Sequence, residues 1–228
     1  MSRNPYDLTR GRRGGDAGRR AQTNKHRRLV LESTSHSIAL SDSLKASEIA
    51  ISGTNNLTAT CTSPSTWSCI QTDDAGVSSG KWYWEIEIVT VTPLNTHHLH
   101  GAAPSSINHA TQYPGNIAQS FGCQGSSSEY KNGAGDGTGP SYGSDGNVLM
   151  IALDMDNNKA WLGLNGTWHG GGDPGAGTGE QFSSLTAGTY LPTLGFYTGA
   201  GNVATFRLFA DDLQYTVPDN FSAYDPGA

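Results

Sequence analysis

Residues 81–92 read KWYWEIEIVTVT, the segment that most restricts how this chain can fold. Side chains alternate sides along a strand, so the period of two puts Trp82, Trp84, Ile86 and Ile88 on one face. Tyr83, Glu85 and Glu87 fall on the other. The Trp/Ile face is assigned to a core, because each large ring removes about 150–250 Å² from water. The Tyr/Glu face is expected to point outward.

The texture is the same from Leu29 onward: short runs rich in β-branched and aromatic residues between Gly/Ser/Asn/Asp clusters. That pattern predicts an all-β sandwich or jelly roll. Residues 148–154 are apolar on both faces and read as a central strand. Asn157-Asn158 turns the chain into residues 159–164, and Asn165-Gly166 makes the next turn, because Asn and Gly tolerate φ > 0 in two-residue hairpins. Residues 190–197, 203–209 and 213–217 complete the strands. Residues 41–50 carry a short helix signal, with Ser41 or Asp42 as a cap. Twenty-two of the 30 glycines lie between Gly101 and Gly201, mostly in two expected loops at 122–146 and 163–179. Such loops on a stiff sandwich are where recognition usually resides.

Charge is divided unevenly. Residues 1–28 hold nine basic residues, Arg3, Arg10, Arg12, Arg13, Arg19, Arg20, Lys25, Arg27 and Arg28, against two acidic ones, a net of +7. The remainder carries −13. The first segment has almost no apolar residues, so it reads as an extended arm that cannot bury enough surface to offset its ordering cost. The longest apolar run, residues 148–153, is far short of a membrane span, which needs about 18 residues. No apolar stretch follows the basic start, so no signal peptide is expected. Three cysteines are too few for a disulfide scaffold or a Cys-based zinc site. Cys61 and Cys69 flank an expected hairpin at Ser63-Pro64-Ser65; they either bridge or, the preferred reading, remain free thiols. Cys123 falls in the first glycine loop.

The order of these segments resembles a known family. Residues 79–88, SGKWYWEIEI, resemble the opening signature of SPRY (B30.2-like) domains. Tyr142-Gly143, Gly146-Asn147-Val148 and Ala152-Leu153-Asp154-Met155-Asp156 are similar to its central strand. Residues 159–168, KAWLGLNGTW, are similar to its Asn-Gly hairpin. Gly172-Asp173-Pro174 with 175–179 is similar to a loop of phage and bacterial members. Leu191-Pro192 and residues 213–221 also match in order. One departure is Thr205-Phe206-Arg207-Leu208-Phe209, where the family usually ends a strand with Asn-Phe-Gly. The resemblance, over residues 36–228, implies a bent two-sheet antiparallel sandwich, no cofactor, and binding through loops at one end.

Several residue groups carry candidate chemistry. The Arg-rich arm suits either a tether lying on acidic protein surface or, less favoured, a nucleic-acid contact that releases counterions. His97, His98 and His100 with His109 form a polar cluster that reads as a binding loop rather than a metal site, since no Cys lies nearby and Asn95 and Asn108 are poor ligands. Glu85 and Glu87 have a spacing that glycosidases use, but the resemblance makes this pair part of the fold signature. Residues 154–158, DMDNN, lack the later Gly and terminal Glu of a calcium loop. The glycine patterns at 170–175 and 199–204 open no helix and do not support nucleotide binding.

The expectation is therefore an all-β, two-sheet antiparallel β-sandwich of the SPRY/concanavalin-like jelly-roll type at residues 36–228, with a basic extended arm at 1–35. It is read as non-enzymatic, with no metal or cofactor. The expected setting is a phage-like virion, as a decoration, fibre or adaptor protein made in the host cytoplasm. The arm cations dock it into an assembly of protein partners, including copies of itself. His97, His98, His100, His109, Tyr113, Tyr130 and Tyr142 are expected on exposed ligand-binding loops. The alternatives are a receptor- or glycan-binding adhesion module, and a cellular interaction adaptor whose arm touches nucleic acid. No membrane insertion is expected.

Overall fold

The computed structural model describes residues 36–63, 66–92, 98–197 and 200–227. The arm cations and His97 lie outside the described residues.

The strands in chain order are β1 (Leu40–Lys45), β2 (Ile49–Ser52), β3 (Thr58–Cys61), β4 (Trp67–Thr72), β5 (Lys81–Thr90), β6 (His98–Ala103), β7 (Phe121–Gln124), β8 (Ser126–Lys131), β9 (Ala134–Ser141), β10 (Val148–Asp154), β11 (Lys159–Leu164), β12 (Thr167–Trp168), β13 (Leu191–Tyr197), β14 (Val203–Arg207) and β15 (Ser222–Ala223). They form two sheets. The seven-stranded sheet runs β1-β4-β13-β6-β7-β8-β9, and the eight-stranded sheet runs β12-β11-β10-β5-β14-β3-β2, with β15 added parallel to β5. Every other pairing is antiparallel. The two-sheet all-β sandwich is as the sequence predicts.

The core follows from alternation. Trp84 and Ile86 on β5 sit opposite Ile151 and Leu149 on β10. Together with Leu194 and Phe196 of β13 and Ile70 of β4, they fill the space between the sheets. Phe206 and Phe209, at the Thr205–Phe209 corner, also enter this core.

On the Tyr/Glu face of β5, Tyr83 and Glu85 are buried as well, contrary to expectation, while Glu87 stays partly exposed. Tyr83, Met150, Ala152 and Trp161 form a second apolar layer against Trp168, Leu213, Tyr215, Val217 and Phe221. The segment 213–221 supplies this cover. The sequence predicts a strand at 213–217, but this stretch has no ladder partners; the Glu85 side chain holds its start. Glu85 Oε1 accepts from Tyr83 Oη (2.7 Å) and Tyr215 N (2.8 Å), and Oε2 accepts from Gln214 N (2.8 Å). A buried carboxylate costs several kcal/mol unless its lone pairs are met, and here they are. β10 is apolar on both faces because both faces are covered.

Other expectations change. Residues 41–50 are strands β1 and β2 rather than a helix, because Leu40 and Ile49 are anchored in the core and tertiary pairing overrides weak propensity. Cys61 and Cys69 do not flank a hairpin: β3 and β4 belong to different sheets, and all three cysteines are free and buried. The first glycine segment is not a loop but the ribbon β7–β8–β9. Asn132 and Gly133, at φ 50° and 88°, make its two-residue turn as Asn165 and Gly166 do at 49° and 85°. Cys123 therefore lies in a strand.

Candidate recognition surface

The face of the seven-stranded sheet turned away from the core is set by register. Trp67 pairs with Tyr197, Cys69 with Gly195, and Gly195 with Leu99. Gln71 pairs with Thr193, Thr193 with Gly101, Gly101 with Gly122, and Gly122 with Tyr130. Directly opposed residues share a face, so these side chains form one surface. Its middle carries three glycines.

Residues 104–120 cross this surface. The glycines let them approach: a Cβ on Gly195 would stand 3.1 Å from Pro114 Cδ, and one on Gly122 would stand 2.6 Å from Pro114 O. Ile107 and Ile117 pack on Cys69 and Ala103. Ser120 Oγ accepts from Gly115 N (2.9 Å) and Ile117 N (3.2 Å) and donates to Ile117 O (2.6 Å), closing the far end. His109 clips the near end. Its Nε2 donates to Gln71 Oε1 at 3.0 Å, because the Gln71 amide nitrogen is already donating to Ala103 O and Thr193 Oγ1. Burial lowers the His109 pKa, so the ring is a neutral donor.

This crossing segment brings four rings together. Trp67 lies 4.9 Å from Tyr197 and 4.3 Å from Tyr113, centroid to centroid, and Tyr113 lies 5.5 Å from Tyr130. All three contacts are tilted or edge-on, the arrangement aromatic quadrupoles prefer. Tyr197 is 38% exposed and the other three are half-buried, so the row is open to solvent. Burial and the neighbouring Tyr130 raise the Tyr113 pKa, against a lowering hydrogen bond with Asn116, which keeps this phenol neutral. Of these two tyrosines, expected on exposed loops, Tyr113 lies in the crossing segment and Tyr130 on strand β8, and both are half-buried. Trp67 and Tyr197 were missed. Their signal is alternation: Trp67, Cys69 and Gln71 on one strand, and Thr193, Gly195 and Tyr197 on its neighbour.

His98, His100 and Tyr142 are not on exposed loops. All three are fully buried. The β6 register faces His100 with Leu194 and Cys123, so the histidines point into the sandwich, edge-on to Phe196 at 5.4 and 5.8 Å. Gly195 N donates to His100 Nδ1 (3.3 Å), which assigns the proton to Nε2, and Nε2 then donates to His98 Nδ1 (3.2 Å). Burial first, and His98 second, lower the His100 pKa well below the usual range. Tyr142 Oη accepts from His100 N (3.3 Å) and donates to Cys123 O. β6 is a central strand covered on both faces, which places both histidines inside, and Tyr142, just after β9, is held in the same interior by its bonds to His100 and Cys123.

The carboxylates are engaged structurally. Glu85 holds the 213–221 segment, and Glu87 pairs with Arg207 at 2.8 Å. Asp154 pairs with Lys81 at 2.9 Å and accepts from Asn157 N and Nδ2; burial alone would raise its pKa, but these bonds outweigh burial and lower it. Residues 154–158 are a hairpin turn. Among the described residues, one group has the ligand spacing of a metal site: His36, Asp211 and Asp212. There the His36 ring nitrogen is 3.1 Å from an Asp211 oxygen and the ring stacks on Phe209 at 3.6 Å. A separate cleft of about 560 Å³ lies beside β9 and β12, walled by Pro140, Leu164, Trp168 and His169.

No protein-family model matches the sequence, and no curated protein does. Among solved structures, the crystal structure of the SPRY domain of human HERC1 is similar, with a TM-score of 0.58 and 17% identity. The match covers 74% of this chain and 96% of that one. The chain therefore has the two-sheet fold of a SPRY domain. At that identity the likeness concerns the fold, and function must be argued from the surface.

Proposed function

We propose that the chain is a non-catalytic binding module that recognises its ligand with the outer face of the seven-stranded sheet. The observation that carries this reading is the solvent-open row Tyr197–Trp67–Tyr113–Tyr130, held by a segment that crosses a glycine floor. A contiguous group of solvent-accessible rings on a sheet face is the kind of surface that marks an interaction site. The fold is also that of a domain class used for protein interaction, and the carboxylates that might do chemistry are spent on the fold.

The setting proposed is a virion, in which the basic arm anchors the chain to acidic protein surface, including that of neighbouring copies, and the sandwich presents its aromatic face. The charge division supports it: +7 in residues 1–28 against −13 in the remainder. Two variants of the full chain separate the roles. Arg12→Glu, Arg13→Glu, Arg19→Glu and Arg20→Glu together should abolish incorporation into particles. Trp67→Ala with Tyr197→Ala should incorporate normally but prevent the particle from attaching to its host. Normal attachment by the aromatic variant would sink the recognition reading. Normal incorporation of the arm variant would sink the anchor.

A further inference from the structure

We propose that the ligand of this aromatic face is a neutral carbohydrate chain, an inference that rests on the recognition reading above. Two independent observations meet here. The first is geometric. Four rings follow one another across the face at centroid spacings of 4.3 to 5.5 Å. They form an unbroken succession of ring contacts, which suits an extended ligand that presents C–H faces along its length. Pyranose rings have such faces, and they stack on aromatic rings with their hydroxyls turned to the rim.

The second observation is charge. The body is strongly acidic, yet residues 104–120 contain no Lys, Arg, Asp or Glu at all. Neither do residues 121–128, which follow them into the sheet. His109 is neutral and bonded to Gln71, and the Tyr113 phenol is held neutral. A charged ligand would find no opposite charge in this segment to offset its lost hydration. The segment is instead rich in Asn, Gln, Ser and Thr. Asn108 Oδ1 accepts from Ala110 N (3.1 Å), and Gln112 Oε1 accepts from Asn108 N (2.8 Å). Each amide thus commits its oxygen to the loop and keeps its NH₂ as a donor. Aromatic faces for C–H surface and amide donors for hydroxyl oxygens are the two contacts a neutral sugar needs, with polar groups few and placed.

The test titrates the full chain with neutral linear hexasaccharides of glucose, mannose, galactose and N-acetylglucosamine, one at a time. A sulfated hexasaccharide is the charged control. Tryptophan fluorescence and calorimetry report binding. At least one neutral probe should bind, with affinity unchanged between about 0.1 and about 1 M salt, over which the Debye length falls from ~10 to ~3 Å. Tyr197→Ala and Trp67→Ala should each weaken it by roughly tenfold or more, a loss on the scale of a stacked ring. Because Tyr197 is the most open of the four rings, its variant keeps the test valid if Trp67→Ala disturbs packing.

The inference is overturned if no neutral probe binds, if binding survives both variants, or if only the sulfated probe binds and salt abolishes it. If no neutral probe binds while the double aromatic variant still loses host attachment, the face remains a recognition surface and only its ligand class is wrong. If the double variant attaches normally, the recognition reading falls too.

Discussion

Glu85 is the clearest place to test the fold argument. Its carboxylate is fully buried and accepts three hydrogen bonds, from Tyr83 Oη, Gln214 N and Tyr215 N. Glu85→Ala removes every acceptor at once. A buried donor left unmet costs about 1–3 kcal/mol. The two backbone donors can regain water only if 213–221 lifts, which would uncover Tyr83, Met150 and Trp161. Either route leads to a loss of roughly 3–5 kcal/mol, a large part of the ~5–15 kcal/mol that holds a domain together. Glu85→Gln keeps one acceptor oxygen but sets an NH₂ against a donor, so its loss should be roughly half as large. Urea unfolding measures both, and amide exchange locates the effect. Exchange should rise at 213–221 and at Tyr83 while β6 and β13 stay protected. A loss below about 1 kcal/mol for Glu85→Ala, or an unchanged exchange pattern at 213–221, would refute the reasoning.

Three further outcomes follow from packing and burial. Gly195→Ala would place its Cβ 2.5 Å from Leu99 O and 3.1 Å from Pro114 Cδ, so it should cost about 1–3 kcal/mol and loosen residues 104–120, read by thermal unfolding and by exchange in that segment. Glu129 is 4% exposed, and burial, then Asp136, push its pKa up to about 7, with Lys131 opposing. Between the ordinary value of ~4.3 and about 7 the folded state holds the proton more tightly than the unfolded chain does, so this group costs stability as pH rises through that window. Glu129→Gln should therefore gain on the wild type from about pH 5 to about pH 8 in midpoint temperature, and a constant difference would contradict the assignment. The three buried thiols, with Cys61 pushed up to about 12 by burial and by Glu48, should ignore a thiol reagent in the native protein and all react in urea.

What the sequence could reveal depended on whether the deciding interaction was local. The β5 core face, the β10–β11 hairpin and its Asn165-Gly166 turn depend on alternation and turn chemistry, and these are local. The same Asn-Gly signal at Asn132-Gly133 marks the β8–β9 turn, but it was hidden by the glycine density that made 122–146 look like a loop. One of those glycines, Gly122, serves the sheet instead: with Gly195 of β13 it makes room for residues 104–120. The outward assignment of Glu85 failed because its partners, Gln214 and Tyr215, lie about 130 residues away. No local pattern reports such a contact. His98 and His100 read as polar loop residues by type alone. Only the pairing of β6 between β13 and β7 shows that they are interior. Tyr113 and Tyr130 were recognised as ring-bearing surface residues, while Trp67 and Tyr197 join them only through the β4–β13 register.

On the reading proposed above, the outer face of the seven-stranded sheet is where this chain meets its ligand. Amide hydrogen exchange of the full chain, with and without a saturating mixture of the four neutral hexasaccharides, tests it most directly. The account expects new protection in residues 104–120 and at the Tyr197 end of β13, with Lys81–Thr90 and the segment 213–221 unchanged. Protection confined to the eight-stranded sheet or to the cleft at Trp168 and His169 would contradict it, while no protection anywhere would remove the carbohydrate ligand and leave the face to the host-attachment test.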